Sequence, residues 1–326
     1  MNEDVVLSRP GYTLPSTVCL PASDGHGPCV VLVAGSGRSD PNWTSPLLSG
    51  RNGSGAQLAL EMQARGVGSI RFDKVGSGVN MPKSADPADL KMLDVLSLAH
   101  YVDEAVAAFE ELASRDRCGR IFFLGHSEGS IHASSAAIEK QADPRFGGLI
   151  SLSGPSRSLL ETAIEQLRAM RIKDGADAAE VDVALEGFRA AMLRPDAPAP
   201  DLSAIPEAAP LWQATHAPGR QEVARELILA EPLAALHAYR GRALVVSAAN
   251  DAQVPEADAD RIFAALGSDL ANRTRVTIAN ANHVYKSETR APSTIPQDEI
   301  LAGYADDDHP LADGLVDAIV DFVTAQ

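Results

Sequence analysis

The chain has 326 residues, of which 45% are hydrophobic and 22% charged, a balance typical of a folded globular protein rather than a disordered or fibrous one. Its formal net charge of −16 argues against nucleic acid and anionic membrane surfaces as partners, because both would repel the chain. No apolar run approaches the roughly 18 residues of a membrane span, and no secretory leader pattern opens the sequence. We therefore expect a cytoplasmic protein.

Metal and cofactor motifs are not evident in the sequence. Cys19, Cys29 and Cys118 form neither a Cys-x-x-Cys pair nor a cluster with histidine, so we expect no zinc site and no disulfide framework. The glycine-rich segment 35–37 lacks the Lys-Ser/Thr ending of a phosphate-binding loop, and no Gly-x-Gly-x-x-Gly follows a predicted strand. We expect neither a cofactor nor a metal.

The first half of the chain alternates between apolar runs and amphipathic segments. Two short β-forming runs around Arg9-Pro10-Gly11 predict an antiparallel hairpin at a sheet edge. Longer unbroken apolar runs are typical of strands covered on both faces. The predicted strands are residues 29–34, 68–72, 121–124 and 146–152, and the predicted helices are residues 55–65, 98–114 and 130–141. This alternation predicts an α/β fold with a mostly parallel, doubly wound sheet.

Residues 155–240 interrupt the alternation, since they contain no convincing strand. The predicted elements there are helices at 158–172, 176–193 and 220–239, with a Pro/Ala-rich linker at 195–210. The alternation resumes with strands at 243–248 and 275–279 and helices at 255–266 and 311–322. We predict a core domain of residues 1–154 and 241–326 with a helical cap, or lid, of residues 155–240. The alternative is a helical substructure that serves stability alone.

One segment, Gly125-His126-Ser127-Glu128-Gly129, joins a predicted buried strand to a predicted helix. A glycine-flanked serine in a sharp strand-to-helix turn is the nucleophile-elbow pattern, in which small neighbours let the strand and helix approach closely. Gly-x-Ser-x-Gly also occurs by chance in a glycine-rich chain, so the pattern needs partner residues. With that condition, Ser127 is the predicted nucleophile.

A serine nucleophile needs a base, and the base needs an acid that orients it. Asp251 follows the strand predicted at 243–248, and His283 follows the strand predicted at 275–279. Both would lie at the carboxyl ends of strands, beside the elbow. The plain alternatives are a helix-initiating aspartate and a surface histidine.

Other acids and histidines fit these roles less well. Asp258 and Asp260 fall inside the following helix and are expected to face solvent. His309 competes with His283, but it follows no predicted strand. His126 and His132 are too close in sequence to the serine to reach its hydroxyl easily.

A tetrahedral oxyanion needs two preorganised N–H donors. The first predicted donor is the amide of Glu128, directly after the nucleophile. The second is the amide of Ser36, with Gly37 as the next choice, because the Gly-Ser-Gly loop follows the strand predicted at 29–34.

These motifs resemble the α/β-hydrolase superfamily in their Ser…Asp…His order, their elbow and their oxyanion loop. More narrowly, residues 32–37, 70–78 and 125–129 resemble the serine-hydrolase branch that contains carboxylesterases and aminopeptidase-like members. Two departures are Ala34-Gly35, where many members carry His-Gly, and Lys74-Val75, where an Arg-Gly pair is common. Members with an aspartate nucleophile are disfavoured, since the elbow holds serine.

The resemblance implies a serine hydrolase, most simply a carboxylesterase that cleaves a small to medium ester through an acyl-enzyme intermediate. The same residues serve thioesterases, peptidases, carbon–carbon bond hydrolases and acyltransferases, so these stay open. The alternative that is not an enzyme is a protein of the same fold that binds a ligand without catalysis. The expected partner is a small-molecule ester or related acyl substrate, and a homodimer remains an open possibility.

Overall fold

The computed structural model describes residues 2–22, 25–45, 50–80, 97–194, 196–216, 221–267 and 270–325. Its strands are β1 (Asn2–Arg9), β2 (Tyr12–Cys19), β3 (Gly27–Val33), β4 (Gly68–Phe72), β5 (Cys118–His126), β6 (Phe146–Leu152), β7 (Ala243–Ala248) and β8 (Arg273–Ile278). Its α-helices in these ranges are α1 (Ser54–Ala64), α2 (Leu98–Ala113), α3 (Gly129–Lys140), α4 (Leu159–Lys173), α5 (Ala178–Met192), α6 (Ala209–His216), α7 (Gln221–Leu229), α8 (Pro232–Ala238), α9 (Glu256–Ala265), α10 (Gln297–Ala302) and α11 (Leu315–Thr324).

All eight strands form one sheet, in the order β1-β2-β4-β3-β5-β6-β7-β8. The hairpin β1–β2 turns at Gly11, whose φ of 86° favours glycine, and β2 pairs antiparallel with β4. Every other neighbouring pair is parallel. The predicted doubly wound, mostly parallel α/β sheet with an edge hairpin is confirmed.

Alternate side chains of the central strands pack against opposite faces of the sheet. In β3, Val31 and Val33 join a core with α2, α3 and α9, whereas Val30 and Leu32 join a core with α1 and α11. Each of these four side chains is at most 1% exposed. Full burial of one such side chain contributes about 1.5–3 kcal/mol. The apolar run is unbroken because both faces of the strand are covered.

The helical segment between β6 and β7 has an apolar cluster of its own, to which α4, α5 and the 3₁₀ turn Pro206–Ala208 contribute. Two details differ from the sequence prediction. Helix α6 lies partly in the predicted linker, because Pro210 stands in its first turn, where a missing N–H costs little. The predicted helix 220–239 is divided, since Pro232 cannot continue α7 and instead begins α8.

Cys29 of β3 and Cys118 of β5 form a disulfide, with Cα atoms 5.5 Å apart and a sequence separation of 89 residues. The expectation of no disulfide is therefore wrong. Parallel pairing of β3 with β5 brings the two cysteines together, and their spacing along the chain does not show this. Since disulfides are rare in reducing compartments, the bridge gives no support to the expected cytoplasmic location. In the described ranges, no helix is both long enough and apolar enough to cross a membrane.

Candidate active site

The turn between β5 and α3 holds Ser127 in the left-handed region, with a φ of 53°. Its N–H donates to the carbonyl of Leu152 in β6 at 2.9 Å. A Cβ at Gly125 would lie 2.3 Å from the carbonyl oxygen of Gly129, and a Cβ at Gly129 would lie 2.4 Å from that of Val33. Only glycine allows this approach of strand and helix. The serine is therefore half-buried just before the N-terminus of α3, as a nucleophile elbow requires.

The loops after β7 and β8 bring Asp251 and His283 together. Main-chain hydrogen bonds of 2.9 Å continue the contact between the two strands into these loops, from Ala249 to Ile278 and from Asn250 to Ala281. His283 Nδ1 lies 3.0 Å from Asp251 Oδ1 and 2.9 Å from Oδ2. Because a carboxylate only accepts, Nδ1 donates the proton of this contact, and Nε2 is the nitrogen left to take a proton from a hydroxyl.

Asp251 is held as a carboxylate in a nearly closed environment, with its side chain 1% exposed. Burial alone would raise its pKa, but the His283 ring and the N–H groups of Gln253 and Val254, at 2.8 and 2.9 Å, favour the charged form. The net effect lowers the pKa of Asp251. An ionised acid fixes the ring of His283 and would stabilise it when protonated.

The elbow contacts the His283 loop through His126, the residue before the serine. The two imidazole rings lie 4.9 Å apart between centroids, and His126 Nε2 donates to the main-chain carbonyl of His283 at 2.8 Å. Among the described residues, the hydroxyl of Ser127 makes no hydrogen bond to His283. Hydrogen bonds between catalytic groups are often long in substrate-free structures and shorten with substrate bound.

The sequence argues against His126 as a base, and it gives no sign of the contact between His126 and His283. Its ring also stacks on Trp43, with centroids 5.1 Å apart and planes 16° apart. Burial, aided by the neighbouring His283, lowers the pKa of His126 to about 3, so the ring is neutral. Only its position within the elbow motif could have indicated this role, because the contact spans 157 residues.

The loop after β3 abuts the serine. A Cβ at Gly35 would lie 3.0 Å from the Cβ of Ser127, so the loop has no room for a larger residue there. Ser36 and Gly37 follow in exposed positions, and Gly37 has a φ of 86°. The N–H groups of Ser36 and Glu128 make no hydrogen bond to another described residue. Two predicted oxyanion donors therefore border Ser127, from the β3 loop and from the start of α3.

The rejected alternatives lie elsewhere, but one expectation about them is wrong. Asp258 is not solvent-facing: it is fully buried and binds Arg157. Asp260 is exposed and pairs with Arg275. His309 Nε2 lies 2.6 Å from the carbonyl oxygen of Ser287 rather than at the elbow.

A cavity of about 660 Å³ lies between α4 and the Asp251 loop, where Ala252 and Gln253 form part of its wall. Most of the remaining lining is apolar and comes from α4, α6 and α10, for example Leu167, Met170 and Leu301. Neither Ser127 nor His283 lines it. The cavity is therefore adjacent to the predicted acid, not to the predicted nucleophile.

The carboxylates of Asp306, Asp307 and Asp308 could each offer an oxygen to a cation, since these atoms lie within 4.8 Å of one another. The side chains are exposed or half-exposed, as acidic surface groups commonly are. None of the predicted catalytic residues belongs to this group.

A sequence model of the alpha/beta hydrolase family matches residues 30–288. Among curated proteins, the chain is similar to esterase EstD from Thermotoga maritima, at 27% identity over 158 residues; these cover 48% of this chain and 34% of the esterase. The match thus spans about a third of the esterase's length.

The fold is also similar to solved structures. Est1E from Butyrivibrio proteoclasticus with bound ferulic acid superposes with a TM-score of 0.53 at 14% identity, over 98% of this chain and 96% of that one. A dienelactone hydrolase from Anabaena variabilis gives a TM-score of 0.50 at 14% identity, over 94% and 93%. At these identities, the likeness shows the fold alone.

Proposed function

Since the chain belongs to the alpha/beta hydrolase family, we propose that it is a serine hydrolase that cleaves carboxylic esters through an acyl-enzyme intermediate. One observation carries the proposal. Asp251 and His283 form a buried, doubly contacted pair, and the ring of His283 lies against the residue that precedes Ser127. The similarity to an esterase supports an ester as substrate.

In the proposed mechanism each group has its own step. Ser127 Oγ attacks the ester carbonyl carbon while His283 Nε2 takes its proton, and Asp251 stabilises the resulting imidazolium. Collapse of the tetrahedral intermediate breaks the bond to the alcohol, which leaves with the proton from His283. A water then repeats the sequence: it gives its proton to His283, attacks the acyl carbon and releases the carboxylic acid, and His283 returns the proton to Ser127.

The amides of Ser36 and Glu128 are the proposed oxyanion donors. Both N–H groups hold the carbonyl oxygen when it becomes negative. The amide of Glu128 stands at the N-terminus of α3, so the positive end of that helix dipole adds to the stabilisation. Loss of one such donor typically costs about 100-fold to 1000-fold in kcat.

The helical segment 155–240 is proposed to act as a cap that bounds the substrate pocket. Gln166 of α4 donates to the carbonyl of Gln253 at 3.0 Å, so this segment touches the loop that holds Asp251. The net charge of −16 makes an uncharged ester a better substrate than a strongly anionic one.

Labelling with a fluorophosphonate tests the nucleophile. We expect one adduct per chain, mapped to Ser127 by mass spectrometry and lost in Ser127→Ala. His283→Ala should abolish rapid labelling, whereas His309→Ala, the matched histidine control, should label like the parent. An adduct on another residue, or none, contradicts the assignment.

A substrate panel tests the reaction. p-Nitrophenyl esters of increasing acyl length should be hydrolysed and Ser127→Ala should be inactive. Rapid turnover of thioesters or amides, with no turnover of esters, would show that the chain is a thioesterase or an amidase that uses the same mechanism.

A further inference from the structure

Lys74 is a buried lysine beside the predicted oxyanion loop. It follows β4 by two residues and is only 2% exposed. Its ammonium donates to the carbonyl oxygen of Gly35 at 2.5 Å and lies 3.5 Å from that of Ala34. Burial of an ammonium costs free energy unless hydrogen-bond acceptors or opposite charges stabilise it, so the position of Lys74 needs an explanation.

The bond to Gly35 fixes the orientation of the following amide. The Gly35–Ser36 peptide is trans, so its C=O and N–H point in opposite directions across one rigid plane. Lys74 holds the C=O side, and the N–H of Ser36 therefore points away from the lysine. Gly35 itself abuts Ser127. A cation on the carbonyl also polarises the peptide, which makes its N–H a stronger donor.

Two acidic side chains on neighbouring elements favour the ammonium form of Lys74. Glu128 and Glu104, from the start of α3 and from α2, both favour the charged form of Lys74, while burial lowers its pKa. The Tyr101 ring lies 5.4 Å from Nζ, and the neutral rings of His126 and His132 complete the surroundings.

The pKa values of those two acids shift in opposite directions. Burial would raise the pKa of Glu128, but His132 and Lys74 favour its carboxylate and lower the pKa overall. Burial raises the pKa of Glu104 to about 7, although the N–H of Val75 donates to it at 3.0 Å. Of the two acids beside Lys74, Glu128 is thus the one whose carboxylate form is favoured.

We propose that Lys74 is a positioning residue for the ester hydrolysis: its ammonium orients and polarises the Gly35–Ser36 peptide so that the Ser36 N–H stabilises the oxyanion. This inference rests on the proposed function. It makes the lysine act through the amide, without contact with the substrate.

The first test is the split between kcat and KM with a p-nitrophenyl ester. Lys74→Met removes the ammonium and keeps an unbranched side chain that is one atom shorter. It should lower kcat by about 100-fold, the loss typical of one oxyanion donor, with KM within about 3-fold. Lys74→Arg, which keeps a cationic donor, should recover at least a tenth of the parental kcat.

Lys286 provides the matched control. It is also fully buried, and its ammonium binds two main-chain carbonyls, of Asp306 and His309. Lys286→Met should lose thermal stability to a similar extent as Lys74→Met while retaining most of kcat. Equal kcat losses in the two variants would mean that burial of a lysine matters only for the fold, and would overturn the inference.

A double-mutant cycle with Ser36→Pro tests the route of the effect. Proline removes the Ser36 N–H, so Lys74→Met should cost little more in that background. If the fold-losses in kcat of the two single variants multiply in the double variant, the inference is overturned. If Lys74→Met does not fold, the same cycle with Lys74→Arg decides, because any change it makes should vanish in Ser36→Pro.

The pH dependence of kcat distinguishes the positioning role of Lys74 from a purely structural one, which would leave this dependence unchanged. The kcat of the parent should fall as the pH rises through the pKa of Lys74, and this fall should be absent in Lys74→Arg. A parent without ester turnover overturns the proposed function and this inference together. A parent whose turnover is lost in Ser127→Ala but kept in Lys74→Met overturns this inference alone.

Discussion

His126 donates a hydrogen bond from Nε2 to the main-chain carbonyl of His283 at 2.8 Å, and so ties the residue before the proposed nucleophile to the proposed base. The bond joins two loops that are 157 residues apart in sequence. Because the ring is neutral and stacked on Trp43, it can hold this carbonyl without adding charge beside the imidazolium that catalysis forms.

Replacing His126 by phenylalanine should slow catalysis. His126→Phe can keep the stack on Trp43 but cannot hold the His283 carbonyl, so His283 loses a positional restraint. A shift of about 1 Å in a catalytic group can cost on the order of 100-fold, and we expect a 10-fold to 100-fold fall in kcat. His126→Gln, which can still donate, should lose less. Steady-state kinetics on a p-nitrophenyl ester measures both, and equal losses would contradict the role of the hydrogen bond.

The same histidine should make stability depend on pH. Its folded-state pKa of about 3 lies below the unfolded value near 6.5, so the unfolded chain binds more protons between these values. The free energy of unfolding should therefore rise with pH in this window, and the contribution, on the order of a few kcal/mol, is complete above about pH 6.5. Urea unfolding at pH 5 and pH 7 measures the part of this rise that lies above pH 5. The difference should be smaller in His126→Gln; an unchanged difference would show that other groups cause it.

Much of the sheet could be predicted from the sequence, because strands buried on both faces give unbroken apolar runs. The predicted bounds of β6 and β7 agree with the structure at both ends. The helices between them were harder, since proline both ends a helix and fits the first turn of the next. Pro210 and Pro232 are both of the second kind, and local pattern alone did not distinguish them.

In the site, too, some features follow from the local sequence, and others depend on contacts between segments that are far apart in the chain. Ser127, Asp251 and His283 are predicted as catalytic residues because each follows a predicted strand, and the carboxyl ends of parallel strands meet at one edge of the sheet. The carbonyl contacts of Lys74 and His126 depend on loops meeting across the sheet, which no spacing reveals. The prediction that Asp258 faces solvent is wrong because helical periodicity does not show which other segment packs over that side of the helix.

Loss of the Cys29–Cys118 disulfide should lower stability without changing the native site. Closing a loop of 89 residues contributes about 4–5 kcal/mol in the chain-entropy model, although measured values range from about 0 to 5. We expect the urea midpoint to fall on reduction with dithiothreitol and in the Cys29→Ala/Cys118→Ala variant. Cys19→Ala, which removes the buried free thiol, should keep the parental response to reductant. An unchanged midpoint after complete reduction would contradict the prediction.

Asp258 should anchor the start of the helical segment 155–240 to the core. Its carboxylate accepts the N–H of Ser156 at 2.8 Å and binds Arg157 through Nε at 3.2 Å and Nη2 at 2.7 Å. Asp258→Ala leaves that N–H and the guanidinium without their buried acceptor, a change that typically costs about 3–5 kcal/mol. Asp260→Ala, two residues away on the same helix, removes an exposed carboxylate and should have little effect. Urea unfolding gives the stabilities, and limited proteolysis with mass spectrometry should show earlier cleavage within 155–240 in Asp258→Ala alone. Equal stability and cleavage in the two variants would mean that the buried carboxylate does not fasten this segment.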